Sequence, residues 1–156
     1  MKSTTLGVSI RDVVESDLPI LFAQQDDPLA TAMAAFPAKE REPFMAHWRE
    51  LMNDPKTFKQ TVVTGGQVAG HVLCFRRAER DLIGYWIGRE YWGRGIATRA
   101  LALFLKHVPI RPLFAFVATH NVGSAKVLMK CGFRLVETIQ PAKEGSVADW
   151  LFTIDE

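Results

Sequence analysis

The stretch 91–98, Tyr-Trp-Gly-Arg-Gly-Ile-Ala-Thr, combines two glycines and an arginine with a predicted helix start. The apolar run 82–87 before it is typical of a buried strand, and the apolar run 96–108 after it is long enough for a helix. A helix start carries N–H groups without intrahelical partners and a partial positive charge, so it can bind an anion such as phosphate. Glycines let the anion come close, and Arg94 adds a fixed positive charge. The stretch is equally consistent with a tight turn that needs glycine only for its backbone shape.

Two familiar phosphate-binding loops do not fit this stretch. A P-loop requires a lysine after its glycines, and none is present here. A dinucleotide-binding fingerprint requires a third glycine, but Thr98 occupies that position when the motif is counted from Gly93. It also requires an acidic residue further on, and the region around Ala118 has none. The predicted anion site therefore belongs to neither class.

Length, composition and charge restrict the class of protein. The chain of 156 residues is long enough to bury a core, and we expect it to form one domain, 1–156. Apolar residues make up 48% and charged residues 23%, which is typical of a soluble globular protein. The net charge of +2 comes from 19 basic and 17 acidic residues with no basic block, so no nucleic-acid partner is expected.

The two cysteines indicate a reducing compartment. Neither Cys74 nor Cys131 has the spacing of a metal site, and both lie in apolar runs. We therefore expect buried, reduced cysteines, no metal and a cytoplasmic location. No apolar stretch is long enough to span a membrane and no signal-peptide pattern is present, so neither a membrane nor export is expected.

The apolar pattern predicts the element order β-α-α-β-β-β-α-β-α-β-β and hence a mixed α/β (α+β) fold. Two β-rich runs, 58–63 and 68–75, flank a Gly-Gly turn and predict an antiparallel hairpin. The runs 82–87 and 113–118 are separated by a helix, so they are expected to be parallel neighbours joined by a right-handed crossover. Antiparallel strands therefore precede one parallel pair at the centre of the sheet.

The remaining segments complete this pattern. A first strand is predicted at 8–13, and the runs 133–139 and 147–154 are predicted as the last strands. The stretch 42–52 has apolar residues at helical spacing, which are more typical of a core than of a ligand site. The Ala-rich stretch 26–40 contains two prolines and has no clear period. We predict it to be a loop or a broken helix lying over the site.

Two motifs in this order resemble those of the GNAT superfamily of N-acetyltransferases, and most closely its branch of ribosomal-protein N-terminal acetyltransferases, the Rim type. The family's cofactor loop reads Gln/Arg-x-x-Gly-x-Gly/Ala. The run 92–97, Trp-Gly-Arg-Gly-Ile-Ala, fits it at Gly95 and Ala97. Trp92 departs from the first position, as it does in Tyr-Trp-Gly-x-Gly members of the Rim-type branch.

The second motif lies further along the chain. The family's Asn-x-x-Ser, followed by Lys-x-Gly-Phe, is matched here from Asn121 to Phe133. The resemblance is strong over residues 70–136 and elsewhere depends on the order of elements alone. Neither motif is specific by itself, but the two together, with a helix and a strand between them, are specific.

The resemblance implies a central, mostly antiparallel sheet with one splayed parallel strand pair, flanked by about four helices. It implies acetyl-CoA as cosubstrate, with the pyrophosphate on the loop's N–H groups and the pantetheine arm lying between the splayed strands like an added strand. The strand residues would be buried in any case, and Asn121 could instead cap the helix after it. The implied cofactor-binding residues are Tyr85, Trp86, Ile87, Gly93, Arg94, Gly95, Ile96, Ala97, Thr98, Asn121 and Ser124.

Amine acetylation also requires a group that accepts a proton and, in many family members, one that donates a proton to the leaving thiolate. Asp81 is the first candidate for the base because it shares a strand face with Tyr85, although a solvated turn carboxylate is at least as consistent. The usual family tyrosine, seven residues after the asparagine, is replaced by Leu128. Ser124 is the nearest substitute, as it is in the Rim-type branch.

Two histidines are weaker candidates. His71 lies on the strand beside the central one, where a lone histidine is more often structural, but it could face the acceptor. His120 precedes Asn121 at the end of a strand, where the cofactor is expected.

The resemblance therefore implies an acetyl-CoA-dependent N-acetyltransferase that acts on a primary amine, either a protein N-terminus or a small amine. The alternative is a non-catalytic module that binds or senses acyl-CoA. A homodimer is left open, since the aromatic stretch 150–152 could pair two chains or belong to the core.

Overall fold

In the computed structural model, which describes residues 3–5 and 7–156, the chain forms one mixed β-sheet. Its strands within these ranges run in the order β1-β2-β3-β4-β5-β6-β8-β7. Every neighbouring pair is antiparallel except β5 and β6, as expected for a mostly antiparallel sheet. The strands are β1 (Ser3–Thr5), β2 (Val8–Asp12), β3 (Phe58–Thr64), β4 (Gln67–Arg77), β5 (Arg80–Ile87), β6 (Leu113–Ala118), β7 (Arg134–Ile139) and β8 (Asp149–Ile154).

Five helices accompany the described strands, where about four were expected. They are α1 (Leu18–Gln25), α2 (Pro28–Ala34), α3 (Arg41–Asn53), α4 (Ile96–Leu105) and α5 (Val122–Lys130). The additional helix is α2, within the stretch predicted as a loop or broken helix. The Asp27 side chain accepts a hydrogen bond from the Leu29 N–H at 3.1 Å, and Pro28 occupies the first helical position. Strand β1 was not predicted. None of the helices in these ranges is long and apolar enough to cross a bilayer.

The helices cover the two faces of the sheet with separate cores. Helices α4 and α5 lie on one face, where Leu101, Phe104 and Leu128 pack against strand residues such as Val72. Helices α1 and α3 cover part of the opposite face with a smaller cluster that includes Trp48. The hairpin predicted around the Gly-Gly turn is present as β3 and β4.

Strands β5 and β6 are paired at only one position, Leu82 opposite Phe114. Beyond it the two strands diverge, so one side of each strand has backbone groups without a ladder partner. This is the splayed parallel pair that the sequence resemblance implied. The divergence opens the sheet towards the carboxyl ends of both strands, next to the start of α4.

A buried carboxylate ties the first turn of the chain to the sheet. Asp17 is 2% exposed and accepts hydrogen bonds from Arg11 (2.7 and 2.8 Å), the Val14 N–H (3.0 Å) and the Thr61 hydroxyl (2.8 Å). Burial alone would raise the pKa of Asp17, but these donors, Arg11 first, bring the net pKa below its usual value. Asp17 therefore joins β2, β3 and the entry to α1.

We expect Asp17→Asn to lower the free energy of unfolding by about 3 kcal/mol at pH 7, because Arg11 would lose its buried partner. The folded-state pKa of Asp17 is depressed, so its stabilisation is complete above about pH 4 and is lost as the pH falls through the folded-state value. Urea denaturation at pH 7 and at pH 3 measures both effects. Asp12→Asn, at an exposed neighbouring carboxylate, is the control and should change stability by less than about 0.5 kcal/mol. Equal effects of the two substitutions on stability would contradict the structural role given to Asp17.

Candidate active site

The divergence of β5 and β6 is continuous with a cavity of about 490 Å³. The cavity runs between β5, the loop before α4, the first turn of α4 and one face of α5, and α2 forms part of its wall. All but one of the predicted cofactor-binding residues line it: Tyr85, Trp86, Ile87, Gly93, Gly95, Ile96, Ala97, Thr98, Asn121 and Ser124. Arg94 is not among the lining residues, and its guanidinium lies 5.7 Å from the centre of the Tyr91 ring.

The loop before α4 uses glycine for its backbone conformation. Gly93 and Gly95 have φ values of 78° and 74°, in the left-handed region that other residues adopt at a cost. A Cβ on Gly93 would meet no atom within 4 Å, and one on Gly95 would meet only the Arg99 side chain. No side chain caps the start of α4. The first N–H groups of α4 are therefore unobstructed next to the cavity, as an anion site requires.

Trp92, which departs from the family's loop motif, has a structural task. Its indole N–H donates a hydrogen bond to the Ile87 carbonyl oxygen at 2.8 Å. This bond fastens the glycine loop to the end of β5. It also occupies the carbonyl group of Ile87, one of the three strand residues that the resemblance implies as cofactor-binding.

Tyr85 and Ser124 meet at the centre of the site. The Tyr85 hydroxyl lies 2.6 Å from the Ser124 Oγ and donates to the Ser124 carbonyl oxygen at 3.1 Å. Burial raises the pKa of Tyr85 to about 12, so the phenol keeps its proton at neutral pH. Sequence analysis selected both residues but not their contact, because they are 39 positions apart. Asn121 accepts a hydrogen bond from the Ser124 N–H at 3.3 Å, so it caps α5 and lines the cavity at once.

A second cavity of about 130 Å³ continues down the gap between β5 and β6. Its walls include Gly84 from β5, Phe116 from β6 and Leu128 from α5. It shares Tyr85 and Ser124 with the larger cavity. The hydroxyl pair therefore stands where the two spaces meet.

Helix α2 lies over the site, as predicted for its part of the chain. It contributes Ala30, Met33 and Ala34 to the wall of the larger cavity. At one end of α2, Asp27 forms an ion pair with Arg89 at 2.8 Å. Near its other end, the Ala32 carbonyl oxygen lies 3.0 Å from the His120 Nε2. His120 thus holds the covering helix and is not among the residues lining either cavity.

Asp81 and His71 lie outside both cavities. Asp81 is at the closed end of β5, where its carboxylate pairs with Arg76 at 2.8 Å. It precedes Tyr85 by four strand residues, about 13 Å. The His71 ring packs edge-on against Trp48 at 4.7 Å, and burial, with His47 nearby, lowers the pKa of His71 to about 3. The structure therefore does not bring either side chain to the hydroxyl pair.

Several lining residues were not predicted from the sequence. They include Lys126, Val127 and Lys130 on α5. They lie three, four and seven positions after Gly123 on one helix face, so helical periodicity counted from Gly123 could have found them, whereas counting from Asn121 leads to the neighbouring face. Within the described ranges, no group of three or more histidine, cysteine or acidic side chains could hold a metal ion. Cys74 and Cys131 are both free; Cys74 is buried and Cys131 partly buried.

A family model described as an acetyltransferase (GNAT) domain matches residues 8–134. The chain belongs to this family. It is a GNAT-type acetyltransferase, and acetyl-CoA is its cosubstrate. No curated protein is significantly similar to the chain in sequence.

Solved structures share the fold of this GNAT chain at low sequence identity. A GNAT-family acetyltransferase from Bacillus anthracis has a TM-score of 0.83 and 17% identity, over 99% of this chain and 98% of that one. The ribosomal-protein α-N-acetyltransferase RimL, in complex with coenzyme A, has a TM-score of 0.82 and 18% identity, over 98% and 96% of the two chains. A microcin self-immunity acetyltransferase, in complex with acetyl-CoA and AMP, has a TM-score of 0.78 and 18% identity, over 97% and 94%.

We expect Gly95→Glu to abolish detectable acetyl-CoA binding, a loss of at least about a hundredfold from a micromolar wild-type affinity. The new carboxylate would repel the pyrophosphate at the start of α4. Isothermal titration calorimetry measures the affinity. Gly145→Glu is the matched control, because Gly145 also has a positive φ of 88° and open space around its Cβ but lies away from the cavity. Unchanged binding by a folded Gly95→Glu protein would show that the pyrophosphate lies elsewhere.

Proposed function

We propose that this GNAT chain transfers the acetyl group of acetyl-CoA to a primary amine, either a protein N-terminus or a small amine. The observation that carries the proposal is the position of the Tyr85–Ser124 hydroxyl pair. It lies where the space beside the α4 start meets the space between β5 and β6. A long cosubstrate and a separate acceptor can therefore reach the same two hydroxyl groups from different directions.

The cosubstrate is assigned to the larger cavity. The N–H groups at Gly95 and along the first turn of α4 would hold the pyrophosphate, and Lys126 and Lys130 add positive charge along the wall. The strand edge from Tyr85 to Ile87, apart from the Ile87 carbonyl oxygen that Trp92 bonds, would bind the amide groups of the pantetheine arm as an additional strand does. Asn121, which already caps α5, would bond the arm from the facing side.

Acetyl-CoA supplies an acetyl thioester that is already activated towards amines. The chain's own residues then have to orient it, receive the amine in its neutral form and deliver a proton. An α-amino group has a pKa of about 8 and a lysine amine of about 10.4, so both are mostly protonated at neutral pH. Since no carboxylate side chain lines either cavity, we propose that the amine proton leaves through water.

The hydroxyl pair is proposed to deliver a proton at the Ser124 Oγ. The Oγ lies 2.6 Å from the Tyr85 hydroxyl. When the phenol turns its O–H from the Ser124 carbonyl oxygen to the Oγ, it replaces a proton that leaves Ser124, and water then returns a proton to Tyr85. A phenol with a raised pKa of about 12 retains this proton across the neutral pH range. The pair would take the place of the family tyrosine, whose position is occupied by the buried Leu128.

We expect Ser124→Ala and Tyr85→Phe each to lower kcat by about 10- to 100-fold, the usual range for a lost proton donor. The KM for acetyl-CoA should change less than about threefold, because neither change alters the α4 start. The release of coenzyme A thiol with a panel of peptides and small amines measures both constants. Ser146→Ala, at an exposed serine outside the cavity, is the control. Full activity in both site variants would remove the hydroxyl pair from the mechanism.

The Asp81→Asn variant tests whether Asp81 is only a structural carboxylate distant from the site or a base that acts through water. If Asp81 serves only its ion pair with Arg76, kcat should fall less than about threefold, because an exposed pair contributes about 1 kcal/mol or less. The plot of kcat/KM against pH should also have the same inflection point in the variant as in the wild type. A fall of about a hundredfold, with loss of that inflection, would instead support the base suggested by sequence.

The same thiol-release measurement tests the proposal as a whole. Acetyl-CoA binding with no transfer to any amine would favour a module that senses acyl-CoA. Transfer to an amine, with the acetylated product identified by mass spectrometry, would establish the activity.

A further inference from the structure

Two arginines face each other at the closed end of the sheet, on the side away from α4. Arg77 of β4 is directly opposite Arg80 of β5. In the next register position on the same face, Phe75 is opposite Leu82, and Leu82 pairs with Phe114 of β6. The surface formed by these five residues is called the arginine–phenylalanine patch below.

The two guanidinium groups stack on the two aromatic rings of the patch. The Arg77 Cζ lies 5.4 Å from the centre of the Phe75 ring, and the Arg80 Cζ lies 5.3 Å from the centre of the Phe114 ring. Such stacking fixes the direction of a guanidinium while leaving its N–H groups available. Both charges are thus held over an apolar floor that includes the buried Leu82.

The patch carries positive charge that the described part of the chain does not neutralise. Among residues 7–156, neither Arg77 nor Arg80 takes part in a salt bridge or donates a hydrogen bond. Asp81 points to the opposite face, where it pairs with Arg76. Glu79, in the exposed turn between the two strands, forms no ion pair with either arginine. Like charges directly opposite one another destabilise a sheet, so an anion on this patch would be favoured.

The patch adjoins the smaller cavity. Gly84 lies two residues beyond Leu82 on the same face, and Phe116 lies two residues beyond Phe114. Both line the cavity, and Phe116 is 40% exposed. Gly84 has no side chain, and a Cβ there would contact the Phe75 ring at 3.6 Å and the Leu73 side chain at 3.8 Å. Helix α5 closes the other side of the gap with the buried Leu128. An acceptor can therefore approach from the face that carries the patch.

We propose that the acceptor is the N-terminus of an acidic peptide segment, whose carboxylates bind Arg77 and Arg80 while its amine enters between Gly84 and Phe116. This inference depends on the proposed N-acetyltransferase function and specifies its substrate class. Along β5, Gly84 and Arg80 are four residues apart, a distance of about 13 Å. An extended peptide spans this distance with three or four residues. The acidic residues should therefore occupy about the third to fifth positions of the peptide. A small amine without a chain of this length cannot reach both sites.

The test uses three decapeptides with a free N-terminus and an amidated C-terminus. The acidic peptide has aspartate at its third and fourth positions, the neutral peptide has asparagine there, and the shifted peptide has the aspartates at its eighth and ninth positions. We expect kcat/KM for the acidic peptide to exceed that for the other two by about tenfold at low salt. The preference should shrink as the ionic strength rises.

The variant Arg77→Gln, Arg80→Gln should reduce this preference to less than about twofold. Its rate with the neutral peptide and its affinity for acetyl-CoA should be unchanged. The matched control is Arg49→Gln, Arg134→Gln, which also removes two positive charges but at exposed ion pairs away from the cavities. The control should retain the full preference for the acidic peptide.

Direct binding of fluorescein-labelled peptides, with the label at the C-terminus and coenzyme A present, separates this inference from the proposed function. Tighter binding of the acidic peptide that is lost in the Arg77→Gln, Arg80→Gln variant supports the inference, even if no peptide is acetylated. Absence of transfer to every amine would overturn the proposed function alone. Equal binding of all three peptides, or a preference that survives in the variant, would overturn the inference. Preference for the shifted peptide would also overturn it.

Discussion

The pairing of β5 and β6 at a single position is the constraint on which the rest of the structure depends. A fully paired sheet would use every backbone N–H and C=O group between these strands and would leave no passage. Because pairing stops at Leu82 and Phe114, backbone groups other than the Ile87 carbonyl remain available along Tyr85–Ile87, and a gap opens through the sheet. The start of α4 lies beside this gap, so an anion site and an unpaired strand edge become parts of one cavity.

The residues around the gap compensate for the lost strand pairing. Trp92 bonds the Ile87 carbonyl oxygen and fixes the glycine loop against β5. Tyr85 crosses the gap to reach Ser124 and joins β5 to α5. Helix α2 covers the larger cavity and is held there by the ion pair of Asp27 with Arg89 and by the contact of the Ala32 carbonyl oxygen with His120. The last three links join elements that are distant in sequence, whereas the Trp92 bond spans only five residues, so side chains hold the open sheet where backbone ladders are missing.

Successive side chains of a strand lie on opposite faces of the sheet, so neighbouring charged residues at the β4–β5 turn have different surroundings. Arg76 and Asp81 form an ion pair on one face, whereas Arg77 and Arg80 are opposed on the other and stack on phenylalanine rings. A shift of one residue in the register would exchange these two faces. The charge next to the acceptor side of the gap thus depends on the pairing of β4 with β5 and not on the net charge of the chain.

The sequence by itself determined the mixed sheet, its central parallel pair and the glycine loop at the start of α4, because periodicity and glycine spacing are local signals. It also selected ten of the residues that line the larger cavity, through two local motifs and the strand positions that the family resemblance implies. Helix α2 was predicted only as a loop or a broken helix and strand β1 was missed, since brief elements carry little periodic signal. Only the tertiary structure decided that Tyr85 contacts Ser124, that Asp81 pairs with Arg76 and that Arg94 lies over the Tyr91 ring and does not line the cavity. Those facts depend on which strand face each side chain occupies and on where strands β5 and β6 part, and both are fixed by long-range packing.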